Sequence, residues 1–287
     1  MTFRSRIAPT PSGFLHEGNI TAFLYTWLLT QKANGELLLR IDDLDNERFR
    51  EVYLNYIFEA LQVAGISYQI GPTNAHEFHT QWSQQLRLPM YEMYLQQLWQ
   101  TGHLYACTCS RQQIAKHQCN CFQQKLPHHT PQAAWRLHIP DNTNIQWHDE
   151  ALGNVSIYLN EVQHAPIVKR SNGLPAYHIA SVADDVHFGI NCIVRGEDLL
   201  SSTALQMHIA SLLQLDAFLQ CRFLHHPLML SETGEKISKS AGDAHLQMHP
   251  PLPDVRRCIQ QLAQWFPQQF DRASTATTAS ALLRLMA

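Results

Sequence analysis

His16, Gly18 and Asn19 lie close together in the segment Pro9–Asn19, where a proline-containing loop passes into the first turn of a predicted helix. Backbone N–H groups and the dipole at the start of a helix favour negative charge, so such a turn can bind a phosphate chain. A histidine there can donate to phosphate oxygens as charge develops, and a glycine lets a nucleotide approach the backbone. The segment therefore predicts a triphosphate site, although a loop histidine alone is more often an ordinary surface residue.

A second polar segment, Gly234–Ser240, carries Lys236 and Lys239 on a glycine-flanked loop. Lysines in such a loop can close over the β- and γ-phosphates of ATP and stabilise departing pyrophosphate, which is catalysis by positioning and charge neutralisation. Taken alone, two such lysines are more often a solvent-exposed charge run. Because both segments occur in this order at opposite ends of an α/β pattern, they predict a nucleotidyl-transfer enzyme.

The sequence around these segments alternates between strand-like and helix-like patterns. A short strand at Arg4–Ala8, an amphipathic helix at Gly18–Ala33 and an apolar run at Leu37–Ile41 predict a right-handed βαβ unit. Helices are also predicted over Glu47–Ala64, Arg87–Thr101 and Ser201–Leu213, and further segments of the pattern are Tyr177–Val182, Ile190–Arg195 and Phe223–His225. This order indicates an α/β fold with a Rossmann-type doubly wound parallel sheet, split by an insertion and followed by a short helical C-terminal region.

Composition excludes several classes of protein. The chain has 287 residues, 45% of them hydrophobic, and no apolar run near the ~18 residues of a membrane span. Its formal net charge of −3 argues against a broad basic surface, although a local patch could still bind RNA. An odd number of cysteines and the lack of a secretory segment at the N-terminus lead us to expect a cytoplasmic protein without a membrane partner.

Four of the seven cysteines lie close together, as Cys107-x-Cys109 and Cys119-x-Cys121, in a polar stretch that also contains His117. Thiolates with this spacing can close a tetrahedral Zn²⁺ site, which would hold together an insertion that has little core of its own. The alternative is a set of reduced thiols, or a pair that oxidises on purification. The spacing of the four cysteines therefore favours a structural zinc ion.

Longer segments resemble one family. The two polar segments resemble the paired ATP signatures of the class I aminoacyl-tRNA synthetases. Arg6–Gly13 with Leu39–Asp45, and Val168–His178 with Val194–Leu200, are similar to glutamyl-tRNA synthetases in particular. The resemblance covers about residues 4–245 and implies the fold and the ATP chemistry of that family.

The resemblance also implies which residues contact ATP, together with Mg²⁺. The implied ATP-binding residues are Pro9, Gly13, His16, Gly18, Asn19, Lys236, Ser238 and Lys239. Four of these carry the catalysis in this interpretation, namely His16, Asn19, Lys236 and Lys239.

The amino-acid site implied by the resemblance binds glutamate. Arg6 and Arg195 suit its side-chain carboxylate, because a guanidinium group forms bidentate, charge-assisted hydrogen bonds. Thr10 and Tyr177 add polar contacts, and Asp42 holds the α-ammonium group. The family has glutamate where this chain has Asp42, so either the backbone or a water molecule fills the gap, or the preferred amino acid has changed. Arg195 could instead form a structural ion pair, and Tyr177 could pack in the core.

The family has a zinc site at the insertion, in which Cys-x-Cys is followed by Tyr-x-x-x-Cys. His117-x-x-x-Cys121 matches the last spacing, so Cys107, Cys109 and Cys121 are predicted ligands, and Cys119 and His117 compete for the fourth place. The predicted domains are residues 1–104 (first half of the catalytic domain), 105–160 (insertion that binds zinc and the acceptor), 161–245 (second half, with the lysine loop) and 246–287 (helical, without an anticodon-binding domain).

A catalytic core of this extent resembles the glutamyl-Q tRNA(Asp) synthetases, which attach glutamate to the queuosine base of tRNA(Asp). The resemblance thus implies glutamate and queuosine-containing tRNA(Asp) as partners, and we expect a monomer. Two alternatives stay open. One is a paralogue that activates another amino acid or loads a non-tRNA acceptor, and the other is a non-catalytic module that binds RNA or a partner.

Overall fold

A computed structural model describes residues 2–116, 119–229, 251–270 and 276–285. His117 and the lysine segment, with Lys236, Ser238 and Lys239, lie outside the described residues. The described strands are β1 (Arg4–Ile7), β2 (Glu36–Leu39), β3 (Leu104–Cys107), β4 (Ala134–Leu137), β5 (Asn144–Asp149), β6 (Gly153–Tyr158), β7 (Ile167–Lys169), β8 (Cys192–Gly196) and β9 (Arg222–His226).

Helices of very different length connect these strands. The described α-helices are α1 (Glu17–Lys32), α2 (Glu51–Val63), α3 (Ala75–Glu77), α4 (Leu88–Gln100), α5 (Arg111–Ala115), α6 (Cys121–Gln124), α7 (Leu159–Val162), α8 (Tyr177–His187), α9 (Leu200–Leu212), α10 (Asp216–Leu219), α11 (Val255–Trp265) and α12 (Ala279–Leu285). Single turns of other helix types occur at Phe78–Trp82 (π), Gln84–Arg87 (3-10) and Glu197–Leu199 (3-10). Among the described helices, none combines the length and apolarity needed to cross a lipid bilayer.

The chain divides into two compact units. The first unit comprises Met1–Leu86, Cys192–Glu197 and Leu224–Ala287, and the second comprises Arg87–Asn191 and Asp198–Phe223. The four domains predicted from the sequence use other boundaries and stay a prediction.

In the first unit, the predicted βαβ unit is confirmed. β1 pairs with β2 in parallel, from Arg4 opposite Glu36 to Ile7 opposite Leu39, and α1 connects the two strands. A parallel bridge joins Leu38 of β2 to Ile70. β8 is hydrogen-bonded to β9. The Ser5 hydroxyl of β1 donates to the backbone carbonyl of Cys192 in β8, at 2.9 Å. Parallel strands joined through a helix confirm the α/β class.

Helix α1 is central to the core of the first unit. Its residues Ile20, Leu24 and Leu28 are fully buried, as the 3.6-residue periodicity predicts. Tyr25 is also fully buried, because its ring stacks on Phe266 at 4.4 Å between centroids. α11 packs on the side of α1 that carries Tyr25. The buried surface of α1 is therefore wider than a single apolar stripe. The helical C-terminal region predicted from the sequence is confirmed over α11 and α12.

The second unit contains antiparallel strands, which the α/β pattern does not predict. β3, β4 and β7 form one antiparallel sheet, and β5 forms a hairpin with β6. A buried ion pair joins α4 and α8, because Arg87 Nε lies 2.8 Å from the Asp184 carboxylate. The Tyr91 hydroxyl donates to the same carboxylate at 2.7 Å. This hydrogen-bonded set satisfies a carboxylate that is fully buried.

Candidate active site

His16 occupies the N-cap position of α1, with the extended backbone angles φ −106° and ψ 170°. Its backbone N–H donates to the side-chain oxygen of Asn19 at 3.2 Å, and the Asn19 N–H donates to the His16 carbonyl at 2.9 Å. The two residues therefore close the first turn of the helix upon itself. Prolines at positions 9 and 11 precede this turn and prevent the strand from continuing. The result is a helix N-terminus that begins soon after a strand ends, which suits an anion.

Gly18 makes room for two neighbours. A Cβ atom built at Gly18 would lie 3.1 Å from Cε1 and Nδ1 of His16 and 3.6 Å from Cβ of Met229. The absent side chain therefore lets the imidazole ring lie against the helix backbone. Met229 is the last described residue before the lysine segment. The structure thus brings His16, Gly18 and Asn19 together with Met229.

Pro9, Thr10 and Gly13 lie in the loop that leaves the carboxyl end of β1. The Pro9 carbonyl accepts a hydrogen bond from the Asp42 N–H at 2.9 Å, and the Thr10 carbonyl accepts one from the Ser12 N–H at 2.9 Å. Both Pro9 and Gly13 are buried. The loop that precedes His16 is therefore tied to the segment that follows β2. In parallel α/β sheets, ligands bind at this carboxyl edge.

Arg6 and Arg195 lie on β1 and β8, two strands of the first unit that are linked by hydrogen bonds. Each is only 5% exposed. The Arg6 guanidinium donates to the Val194 carbonyl at 3.4 Å, next to Arg195 in the chain. A guanidinium group can form bidentate, charge-assisted hydrogen bonds with a carboxylate.

Asp42 has a partner within the protein. Arg40 donates to both of its carboxylate oxygens, at 2.7 Å to Oδ1 and 3.1 Å to Oδ2. The side chains of Arg40 and Asp42 are 2% and 12% exposed. An ionised carboxylate offers about four lone-pair positions, so it can accept more hydrogen bonds than the two from Arg40.

The sequence alone did not indicate a role for Arg40 or for Asp43. Asp43 is buried and accepts hydrogen bonds from the Ser83 hydroxyl and from the Gln84 N–H, the latter at 2.7 Å. Asp42 and Asp43 therefore have different structural roles. Asp42 pairs with Arg40, whereas Asp43 binds the segment at Ser83 and Gln84. The signal in the sequence was the run Arg-Ile-Asp-Asp, in which a basic residue stands beside two acids.

Tyr177 belongs to the second unit, where it begins α8. It is 39% exposed, and its ring contacts His178 edge to face at 5.2 Å. This exposure argues against the alternative of core packing.

The four clustered cysteines come together in the second unit. The sulfur atoms of Cys107, Cys109, Cys119 and Cys121 all lie within 4.8 Å of one another. The Cys107–Cys119 and Cys109–Cys121 sulfur distances are 3.7 and 3.5 Å, too long for a disulfide of about 2.05 Å. They are close to the roughly 3.8 Å between thiolates that share a tetrahedral Zn²⁺ at about 2.3 Å.

Burial, together with the sulfur atoms of Cys121 and Cys119, raises the pKa of the Cys109 thiol to about 12. Four sulfurs this close disfavour thiolate formation unless a cation offsets the charge, which a divalent metal ion would do. The donor set therefore fits a metal ion. His117, the other candidate for the fourth place, lies outside the described residues.

Comparison with known proteins identifies relatives. Residues 2–249 match the family model of tRNA synthetases class I (E and Q), catalytic domain. A glutamyl-Q tRNA(Asp) synthetase of Pseudomonas fluorescens is 34% identical over 96% of this chain and 89% of its own length. A glutamate–tRNA ligase of Legionella pneumophila is 31% identical over 84% of this chain. This chain spans about half of that ligase, since the match covers 52% of its length.

A solved structure agrees with this grouping. The glutamate tRNA ligase of Elizabethkingia meningosepticum, determined in complex with its amino acid, is 26% identical with a TM-score of 0.70. The similarity covers 85% of this chain and 53% of that protein. The family match spans residues 2–249, which include the His16 turn and the buried arginines, and the two sequence relatives each cover more than four-fifths of the chain. The chain therefore belongs to the class I tRNA synthetases of the glutamate and glutamine (E and Q) group, whose catalytic domain it contains.

Proposed function

We propose that this protein activates glutamate with ATP to form glutamyl-adenylate and transfers the glutamyl group to the queuosine base of tRNA(Asp). It would act as a cytoplasmic monomer, with residues 105–160 presented to the acceptor. The observation that carries the proposal is the close contact at Gly18, where a Cβ atom would lie 3.1 Å from the His16 ring and 3.6 Å from Cβ of Met229.

The relatives support the choice of substrate. The relatives named glutamyl-Q tRNA(Asp) synthetase are similar along nearly their whole length, with 96% of this chain and 89% of the Pseudomonas fluorescens protein covered. The ligases that charge tRNA with glutamate are similar along about half of theirs. Their names favour glutamate over another amino acid, and a tRNA over a non-tRNA acceptor.

In the first step, an oxygen of the glutamate α-carboxylate attacks the α-phosphorus of ATP, and the bond to pyrophosphate breaks. The attacking group belongs to the substrate, so no protein nucleophile is needed. His16 and the backbone of the α1 turn would donate to phosphate oxygens, and Lys236 and Lys239 would stabilise the departing pyrophosphate. Mg²⁺, when bound, would neutralise charge on the phosphates.

The amino acid would be oriented by its two charged ends. Arg6 and Arg195 would bind the side-chain carboxylate, and Asp42, held by Arg40, would accept from the α-ammonium group. Tyr177 would add a phenolic donor. In the second step, a nucleophilic group of the queuosine base attacks the carbonyl carbon of the adenylate, and AMP leaves.

The cysteine cluster would hold a structural Zn²⁺ through four thiolates. The donor set of four sulfurs within 4.8 Å supports this assignment. The metal ion would hold the short α5 and α6 helices to β3, because each of these small elements has little apolar surface of its own.

The proposal is tested by ATP–pyrophosphate exchange with purified protein and each of the twenty amino acids, without tRNA. Exchange that depends on glutamate alone is the expected result. Exchange with a different amino acid would assign Asp42 to an altered specificity and contradict the choice of glutamate.

The acceptor is tested separately with radiolabelled glutamate. Purified tRNA(Asp) with and without queuosine should differ, because only the modified base offers the proposed nucleophile. Equal labelling of both forms, at the 3′ end, would instead make the protein a conventional tRNA-charging enzyme.

A further inference from the structure

The position of α11 on α1 is set by the apolar core of the first unit. Ile259 and Leu262 of α11 are 1% and 0% exposed, and they belong to the same core cluster as the buried face of α1. The Tyr25–Phe266 stack at 4.4 Å fixes the far end of α11. The residues near the start of α11 therefore lie over the first turn of α1.

A hydrogen bond joins this end of α11 to the first turn of α1. The Cys258 sulfur lies 3.5 Å from the Glu17 carbonyl oxygen. Burial raises the pKa of the Cys258 thiol to about 11, so this group remains a protonated donor at neutral pH. The fully buried Cys258 thus anchors its neighbour Arg257 beside Glu17.

Arg257 then reaches the side chain of Glu17. Its Nη1 atom lies 3.5 Å from Oε1 of Glu17, and the two side chains are 65% and 23% exposed. Glu17 directly follows His16 and is the acidic residue of the first helical turn. A carboxylate at this place raises the electrostatic cost of bringing a triphosphate to the same turn.

We propose that Arg257 is a positioning residue of the nucleotide site: it draws the Glu17 carboxylate toward α11 and compensates its charge, so that the helix turn at His16 can accept a triphosphate. This inference rests on the proposed binding of ATP at that turn. The inference gives the helical C-terminal region a role at the nucleotide site, because the apolar core holds Arg257 of α11 beside the Glu17 carboxylate in the first turn of α1.

The test is the dissociation constant of ATP with Mg²⁺, measured by calorimetry on the full chain for Arg257→Gln, Glu17→Gln and the double variant. Arg257→Gln should weaken ATP binding about twofold to fivefold at low salt, the range expected for an exposed ion pair. The effect should shrink at 0.5 M salt, because exposed charges are screened. The double variant should bind ATP as tightly as Glu17→Gln alone.

Arg256→Gln is the matched control, because it removes the same charge from the neighbouring exposed position of α11. It should leave the dissociation constant unchanged. The inference is overturned if Arg257→Gln binds ATP like the unsubstituted protein, or if Glu17→Gln fails to rescue the loss. Absence of ATP binding by the unsubstituted protein would instead overturn the proposed function, so the two failures are distinguishable.

Discussion

Gly18 and His16 are in such close contact that a methyl group on Gly18 would lie 3.1 Å from two ring atoms of His16. Ordinary van der Waals contact needs a few tenths of an ångström more, so the imidazole ring depends on the missing side chain for its place. The backbone of Gly18 does not need glycine for its own conformation, since it lies within the first turn of α1. The packing of the His16 ring is therefore one reason for glycine at this position.

Gly18→Ala should separate stability from activity. Alanine favours a helix over glycine by up to about 1 kcal/mol, so the melting temperature should be unchanged or higher. The displaced His16 ring should lower glutamate-dependent ATP–pyrophosphate exchange about tenfold, because small misplacements at a reacting centre are costly. Differential scanning calorimetry and the exchange assay measure the two effects. Full exchange activity in a folded Gly18→Ala protein would show that the ring position is unimportant.

Lys239→Ala should strongly slow adenylate formation while the protein stays folded. Removing one preorganised charge from a phosphoryl-transfer site typically costs about a hundredfold in rate. Lys32→Ala, at the exposed end of α1, is the matched control and should retain the exchange rate. Normal exchange by Lys239→Ala would remove the lysine segment from the mechanism.

Asp42→Asn should destabilise the protein by about 3 to 5 kcal/mol, because it removes the negative charge that faces the Arg40 guanidinium, whose side chain is 2% exposed. Urea unfolding measures the change in free energy. The control is Asp45→Asn, whose partner Arg48 lies at 3.8 Å with a side chain 75% exposed, and the cost there should stay below about 1 kcal/mol. Equal effects of the two substitutions would mean that the Arg40–Asp42 pair is not structural.

Zinc binding should depend on the cysteine cluster and not on the other cysteines. We expect one Zn²⁺ per chain by elemental analysis, and Cys119→Ser should weaken its binding by at least about tenfold in a competition assay with a chelator. Cys221→Ser, a buried cysteine outside the cluster, is the control and should keep the full metal content. If His117→Ala lost zinc and Cys119→Ser retained it, the fourth ligand would be the histidine.

Stability should fall between pH 7 and pH 5 because of His208 on α9. Burial, with a smaller effect of nearby His103, lowers the pKa of His208 to about 4, against about 6.5 for an ordinary histidine. Between these values the unfolded chain binds more protons than the folded one. The free energy of unfolding is therefore highest above about pH 6.5. It decreases as the pH falls toward 4, by roughly 2 kcal/mol between pH 7 and 5.

His208→Gln should reduce this pH dependence. Chemical unfolding at pH 7 and pH 5 measures it, with the exposed His129→Gln as the control. A loss of stability in His208→Gln as large as in the unsubstituted protein would assign the pH dependence to other groups.

Local patterns in the sequence determined most of the elements near the site. The strand at Arg4–Ile7, the helix after His16 and the strand that ends at Leu39 follow from apolar periodicity and from the prolines between them. The residue types of the His16 turn also predict a phosphate-binding site. The groups that would form it, the N-terminus of α1 and its first side chains, are neighbours in the chain. The antiparallel strands of the second unit were not predicted, since short strands in a polar stretch carry little periodic signal.

The tertiary structure decided which residues share a partner. Arg6 meets the strand that carries Arg195, and Glu17 meets Arg257, across long stretches of chain that no local pattern connects. Tyr25 is buried because α11 packs beside it, although its place on α1 lies outside the main apolar stripe. Periodicity depends on neighbours a few residues apart, whereas ion pairs and ring stacks depend on which elements the core brings together. The sequence by itself therefore determined the helix turn, and only the packing of α11 decided which charge lies beside it.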